Sequence, residues 1–155
     1  MSGVPSVDSA VASKTFWRLF GEATRVHTIA YRLTGGLLGR RIPGIPPMLL
    51  LEHVGARSGR RRTTPLAYLE DGDRFVIVAS KGGAPRHPSW FHNLRANPET
   101  TVQVGSRRVP VTSRVATAPE RLELWPRVVE LYGGFDGYQQ RTRRQIPLVI
   151  LEPRT

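Results

Sequence analysis

The chain has 155 residues and no cysteine, and 23 lysines and arginines against 12 acids give it a formal net charge of +11. That length suits one domain with a real core, and the missing thiols exclude disulfides, thiolate zinc sites and cysteine nucleophiles while fitting a reducing cytosol. Lys14 and Lys81 are the only lysines, so the charge is arginine's, whose planar fork matches carboxylates and phosphates, and it implies a polyanionic partner: nucleic acid, anionic lipid or a phosphorylated cofactor.

Residues 1–13 are small and polar and read as a loose tail ahead of one domain spanning 14–155. They lack the basic start, apolar stretch and small-residue cleavage site of a signal peptide. No apolar run approaches the ~18 residues of a membrane span. The expected location is therefore the cytoplasm. From Lys14 to Thr34 the period is helical: at about 100° per residue, Phe16, Leu19, Phe20, Ala23, Val26, His27 and Ala30 share one arc. Lys14, Arg18, Arg25 and Arg32 lie almost opposite, and Gly35-Gly36 ends the helix. Such a helix either covers the core with a solvated basic face or leans on an anionic membrane at the inner face. Residues 37–47, with three prolines, form a connector.

Strands follow. Met48–Val54 is short and apolar enough for a buried strand. Next comes Gly55-Ala-Arg-Ser-Gly-Arg-Arg-Arg-Thr-Thr-Pro65, a loop bracketed by glycine and dense in arginine. Thr63–Leu69 and Arg74–Ser80 flank Glu70-Asp-Gly-Asp73 as a hairpin. Ser80-Lys-Gly-Gly-Ala-Pro85 is a second glycine loop. Pro88 opens a short helix, Ser89–Ala96, which Asn97-Pro98 ends. Trp90, Phe91 and Leu94 form its buried face, leaving Ser89, His92 and Asn93 toward other surfaces. Thr100–Val104 and Arg107–Val115 alternate as another hairpin, and Thr117 to Glu120 has the spacing of a capping box. The helix it opens runs to Tyr132 with a kink at Pro126. Gly133–Tyr138 reads as a loop with two aromatics, followed by basic Arg141, Arg143 and Arg144, and Ile146–Leu151 closes the chain as a strand. The sum is a mainly β, α+β domain: a split, partly closed antiparallel barrel of about six strands with peripheral helices.

The residues exclude several chemistries. There is no nucleophile elbow, phosphate-binding Walker loop or HExxH zinc motif. His87 and His92 are five apart, do not share a helix face and have no carboxylate companions, so no metal is expected. What remains is an anion cradle. Arg57, Arg60, Arg61 and Arg62 with Ser58, Thr63 and Thr64 offer forks, hydroxyls and backbone amides in one turn. Ser80-Lys81-Gly82-Gly83 offers a second set, with Trp90 and Asn93 close by. The plainer alternative is a solvated basic rim. A nucleic-acid-binding barrel would interleave aromatics with basic residues on a strand face, whereas Trp17, Trp90 and Trp125 all sit in helical patterns; no nucleic acid is expected.

Three blocks carry a resemblance: Val54-Gly-Ala-Arg-Ser-Gly, Arg62-Thr-Thr-Pro-Leu, and Val78-Ala-Ser-Lys-Gly-Gly-Ala-Pro-Arg-His-Pro-Ser-Trp-Phe-His-Asn-Leu-Arg-Ala-Asn-Pro98. Together with the closing Ile146-Pro-Leu-Val-Ile-Leu-Glu-Pro153 they resemble the deazaflavin-dependent nitroreductase family, actinobacterial split-barrel oxidoreductases that use coenzyme F420. The match covers about residues 46–153. It implies an F420H2-dependent reductase that passes a hydride to a quinone, enone or nitroaromatic acceptor; a split barrel holding FMN or haem is the nearer alternative. By family pattern Ala56, Arg57 and Ser58 with Arg62, Thr63, Thr64, Pro65, Leu66 and Ala67 line the phosphate and the deazaflavin. Val78, Ala79, Ser80 and Lys81 add backbone and polar contacts, and Ser89, Trp90, Phe91, His92 and Asn93 close over the ring. Ser80 and Tyr138 are the expected catalytic residues, Ser80 fixing the ring with Lys81 and Tyr138 serving the acceptor. The acceptor side comprises Ala67, Tyr132, Phe135 and Tyr138. Ala67 and Phe135 depart from the tyrosines of the best-known nitroreductase member, which implies a roomier pocket with fewer hydroxyls.

Overall fold

The computed structural model of the protein describes residues 46–155. The expected tail, the amphipathic helix at 14–34 with its membrane contact, and most of the proline connector lie outside the described residues.

Six strands form one antiparallel barrel: β1 (Met48–Val54), β2 (Arg61–Asp71), β3 (Arg74–Val78), β4 (Glu99–Val104), β5 (Arg107–Val115) and β6 (Leu148–Pro153). Their order is β1-β2-β3-β6-β5-β4, and β4 returns to β1 through Leu50↔Gln103 and Leu51↔Val102. The order thus closes into a barrel, with β2 pairing β1 over Arg61–Ala67 and β3 only over Tyr68–Asp71, the divided pairing of a split barrel. Among the described residues three α-helices decorate it: α1 (Ser89–Ala96), α2 (Ala118–Leu131) and α3 (Gly134–Arg141).

Strand alternation assigns the two sides of the wall. Leu49, Leu51, Tyr68, Phe75, Ile77, Val102, Val104, Val111, Val149 and Leu151 fill the interior, joined by Trp90, Phe91 and Leu94 of α1. α1 thus stoppers the barrel with the apolar face its sequence shows. Outside, Val76, Val78, Leu148 and Ile150 are covered by Leu124 and Val128 of α2 and by Phe135 of α3. β3 and β6 are buried on both faces, which is why they read as unbroken apolar runs. Each such side chain contributes about 1.5–3 kcal/mol on burial. The expected capping box is present: Glu120 N–H donates to Thr117 Oγ1 (3.4 Å) and Thr117 N–H to Glu120 Oε1 (2.9 Å).

Two expectations need correction. β2 starts at Arg61, so Arg61 and Arg62 lie in a strand, paired with Val54 and His53; pairing with β1 carries the ladder to the exposed barrel end, where arginine costs nothing. Residues 134–141 form helix α3 in place of a loop. Its glycines oppose a helix by about 1 kcal/mol each, but Phe135 and Tyr138, three apart, face the outer cluster together, and that burial prevails.

Candidate active site

The arginine loop is held by hydrogen bonds within the protein. Gly55 N–H donates to Arg60 O, Gly59 N–H to Gly55 O (both 2.9 Å), and Arg60 N–H to Ser58 Oγ (3.3 Å). Gly55 permits this fold of the loop, because a Cβ there would stand 2.3 Å from Ser58 Oγ. A fourth amide, Ala56 N–H, donates to Asn93 Oδ1 on α1 (2.9 Å). The sequence suggested a ring of free amides; most are in use, leaving those of Arg57 and Ser58 without an intramolecular acceptor among the described residues. The hydroxyls and guanidinium groups then supply most of the donors.

Asn93 is buried, contrary to the expectation that it faces another surface. It bonds through Nδ2 to His53 Nδ1 (2.9 Å), and His53 Nε2 reaches Thr64 Oγ1 (2.9 Å). His53, 5 % exposed, was not anticipated as a site residue. The signal existed, since in Met48–Val54 alternation places it on the face of Leu49 and Leu51. Burial, and secondly the charge of Arg62, lower its pKa to about 4, so it is neutral at physiological pH.

The second loop is clamped from below by Arg144. Its guanidinium donates to the carbonyls of Ala84 (2.9 Å), Ala79 (3.1 Å) and Ser80 (2.7 Å), and to His87 Nδ1 (3.0 Å). No carboxylate is paired with it among the described residues, so a cation sits beneath the loop held by neutral acceptors. Sequence offered only a basic patch here; nothing in it distinguished Arg144 from Arg141 or Arg143. Gly83 has φ +80° and touches α3: a Cβ would stand 2.6 Å from the Tyr138 carbonyl oxygen. The Gly83 and Ala84 amides close the turn on Ser80 O and Lys81 O.

α3 and the end of α2 bring together Tyr132, Phe135 and Tyr138, three of the residues expected on the acceptor side. Tyr132 and Phe135 ring centroids are 5.1 Å apart and those of Phe135 and Tyr138 6.3 Å, with the two tyrosine hydroxyls 3.3 Å apart. Phe135 is buried and Tyr132 exposed, and Ala67 and Tyr138 pack on the same outer cluster as Val78. The Tyr132 hydroxyl, and secondly burial, raise the Tyr138 pKa, so its phenol keeps its proton.

Alternation divides the run from Arg62 to Ala67. Arg62 and Thr64 fall on the interior face with Leu66, at the barrel mouth, whereas Thr63 and Pro65 fall on the outer face with Ala67. Ala79, Trp90 and Phe91 are committed to the interior core. Ser89, His92 and Lys81 are exposed beside it and Ser80 is buried.

Arg74, Arg108, Arg114, Arg127 and Arg154 each pair with a carboxylate. No such pair among the described residues involves Arg57, Arg60, Arg61, Arg62, Lys81 or Arg86. Cations without carboxylate partners beside hydroxyls are the donor set that an anion needs. That donor set fits a phosphate-bearing cofactor.

The profile of the F420H(2)-dependent quinone reductase family matches residues 23–153. The chain belongs to this family. An F420H(2)-dependent quinone reductase of Mycobacterium tuberculosis (strain ATCC 25618 / H37Rv) is 47 % identical over 133 residues, covering 84 % of this chain and 89 % of the relative. Among solved structures, an F420-H2 dependent reductase called FDR-A is 42 % identical with a TM-score of 0.64, covering 68 % of this chain and 94 % of its own. A second, described as a domain-swapped dimer, is 34 % identical with a TM-score of 0.65, covering 94 % and 99 %. The haem storage protein HutZ of Vibrio cholerae shares the fold alone, at 14 % identity and TM-score 0.53, over 70 % of this chain and 82 % of its own. The family places the chain among F420-dependent oxidoreductases and bears out the fold and family expected from the sequence blocks; the FMN and haem alternatives are not favoured. Among the described residues no helix is long and apolar enough to cross a membrane, and no cluster of His, Cys, Asp or Glu could hold a metal.

Proposed function

We propose that the protein binds coenzyme F420 at the barrel end formed by the 55–60 and 80–84 loops and reduces a quinone there. The observation that carries this reading is the gathering of Arg57, Arg60, Arg61, Arg62 and Lys81, none with a carboxylate partner among the described residues, on the loops and strand start at one barrel end. Arg57, Ser58, Arg62 and Thr64 hold the phosphate; Ala56 contributes loop backbone; Ser80 and Lys81 fix the ring edge with Val78 and Ala79 behind it. Ser89, His92 and Asn93 border the ring along α1, with Trp90 and Phe91 supporting that helix from the core.

When bound in reduced form, the deazaflavin supplies the hydride. The chain supplies orientation, electrostatics and a proton. Ala67, Tyr132, Phe135 and Tyr138 seat the acceptor, and the Tyr138 phenol, protonated as described, donates to the acceptor oxygen as it gains charge. Tyr132, more exposed and within reach of Tyr138, returns that proton from solvent. Lys81 lends positive charge to the ring edge while negative charge develops.

Arg62→Ala tests the phosphate assignment. Losing one charge-assisted contact of about 1.5–3 kcal/mol should weaken F420 binding by about tenfold or more, read by fluorescence titration, with the melting temperature nearly unchanged. An unaltered dissociation constant would remove Arg62 from the site.

A further inference from the structure

The hydrogen bonds around His53 fix the direction of every proton in a four-membered chain. Ala56 N–H is a donor, so the Asn93 atom facing it is Oδ1. The opposite face of the same amide is therefore Nδ2, a donor, and it meets His53 Nδ1. A donor there requires a lone pair on Nδ1, so the neutral ring carries its proton on Nε2 and donates it to Thr64 Oγ1. With that oxygen accepting, the Thr64 hydroxyl proton is free to be given elsewhere. Thr64 lies two residues from Arg62 on the same strand face, and Arg62 is opposite His53 across the β1–β2 ladder. The free O–H is therefore beside a cation that has no carboxylate partner among the described residues.

We propose that His53 is the positioning residue of the anion site: its Nε2–H tautomer leaves the Thr64 hydroxyl proton to be donated to the ligand, and its Nδ1 anchors Asn93, which fixes the arginine loop through the Ala56 amide. This rests on the reading of that end as the F420 phosphate site. His53 reaches the cofactor only through Thr64 and Asn93. It joins two parts of the cradle on different elements, the β2 hydroxyl and the 55–60 loop, so one buried ring sets both. A histidine kept for packing alone would be replaceable by leucine without effect on ligand affinity. A positioning histidine is replaceable only by a side chain that both accepts and donates at the same places, and glutamine is one.

The test uses the full-length protein in two independent readouts. First, without cofactor, long-range 15N NMR of His53 should show the Nε2–H tautomer, and amide exchange at Ala56 should be slow in the wild type and in His53→Gln but faster in His53→Leu. Second, F420 fluorescence titrations should give dissociation constants raised about tenfold in both His53→Leu and Thr64→Val. The double variant should be no weaker than either single one, and His53→Gln should lie within about threefold of the wild type. Thr64→Val, a half-buried isosteric change, keeps the test decisive if His53→Leu misfolds. The Nδ1–H tautomer, unchanged Ala56 exchange in His53→Leu, or additive losses in the double variant would each overturn the proposal. If the wild type binds no F420 while Ala56 exchange responds as expected, the cofactor reading fails and the loop-positioning role stands.

Discussion

Arg144 and His53 organise the site without being exposed to it as simple charges, and both make predictions at the residue scale. Arg144 serves four acceptors from one planar group. Lysine keeps the charge but cannot span them, so Arg144→Lys should cost about 2 kcal/mol of stability and weaken F420 binding as the 80–84 loop loosens, measured by denaturant melts and titration. His53 carries a pH signature. Its pKa is lowered in the fold from 6.5 to about 4, so between these values the unfolded chain binds more protons than the native one and stability falls as pH falls. Above about pH 6.5 the contribution is complete. His53→Gln should give a shallower decline in the denaturation midpoint over that window; an unchanged slope would place the proton elsewhere. Losses below it belong to carboxylates such as Glu120, which Arg114 holds well below the ordinary range. Sequence showed His53 on the inward face by alternation but not its partners, because Asn93 and Thr64 are 40 and 11 residues away.

At the scale of elements, what was legible and what was not follows from where the determining contacts lie. α1 and α2 were readable because their caps and apolar faces are local, as the Thr117–Glu120 box shows. α3 was not, because its glycines read as a loop and its helix depends on packing Phe135 and Tyr138 against β3 and β6. The glycine-rich turn at 81–83 was legible as a loop, but its contact with α3 was not. Gly83 serves close contact with α3 as much as any anion, since its Cβ position is occupied by Tyr138 backbone. Gly83→Ala should therefore push α3 away and combine this clash with a strained positive φ, costing about 1–3 kcal/mol. Its effect on the KM for quinone should exceed its effect on F420 affinity, because α3 carries residues proposed to seat the acceptor. Steady-state kinetics with each substrate varied in turn separates the two.

In the whole molecule five arginines pair with carboxylates, while Arg57, Arg60, Arg61, Arg62 and Lys81, gathered at one barrel end, have no such partner among the described residues. The barrel supports that end, and α1 links its core to the arginine loop through Asn93. Net charge alone would have suited nucleic acid or lipid equally; the family blocks separated these readings where composition could not, because function lies in the site and not in the fold. The most direct measurement is single-turnover oxidation of reduced F420 by a short-chain naphthoquinone, with reduced FMN as the parallel donor. The F420 assignment predicts that the protein accelerates quinone-dependent recovery of F420 fluorescence and leaves FMN oxidation at its uncatalysed rate. Acceleration with FMN and none with F420 would contradict it.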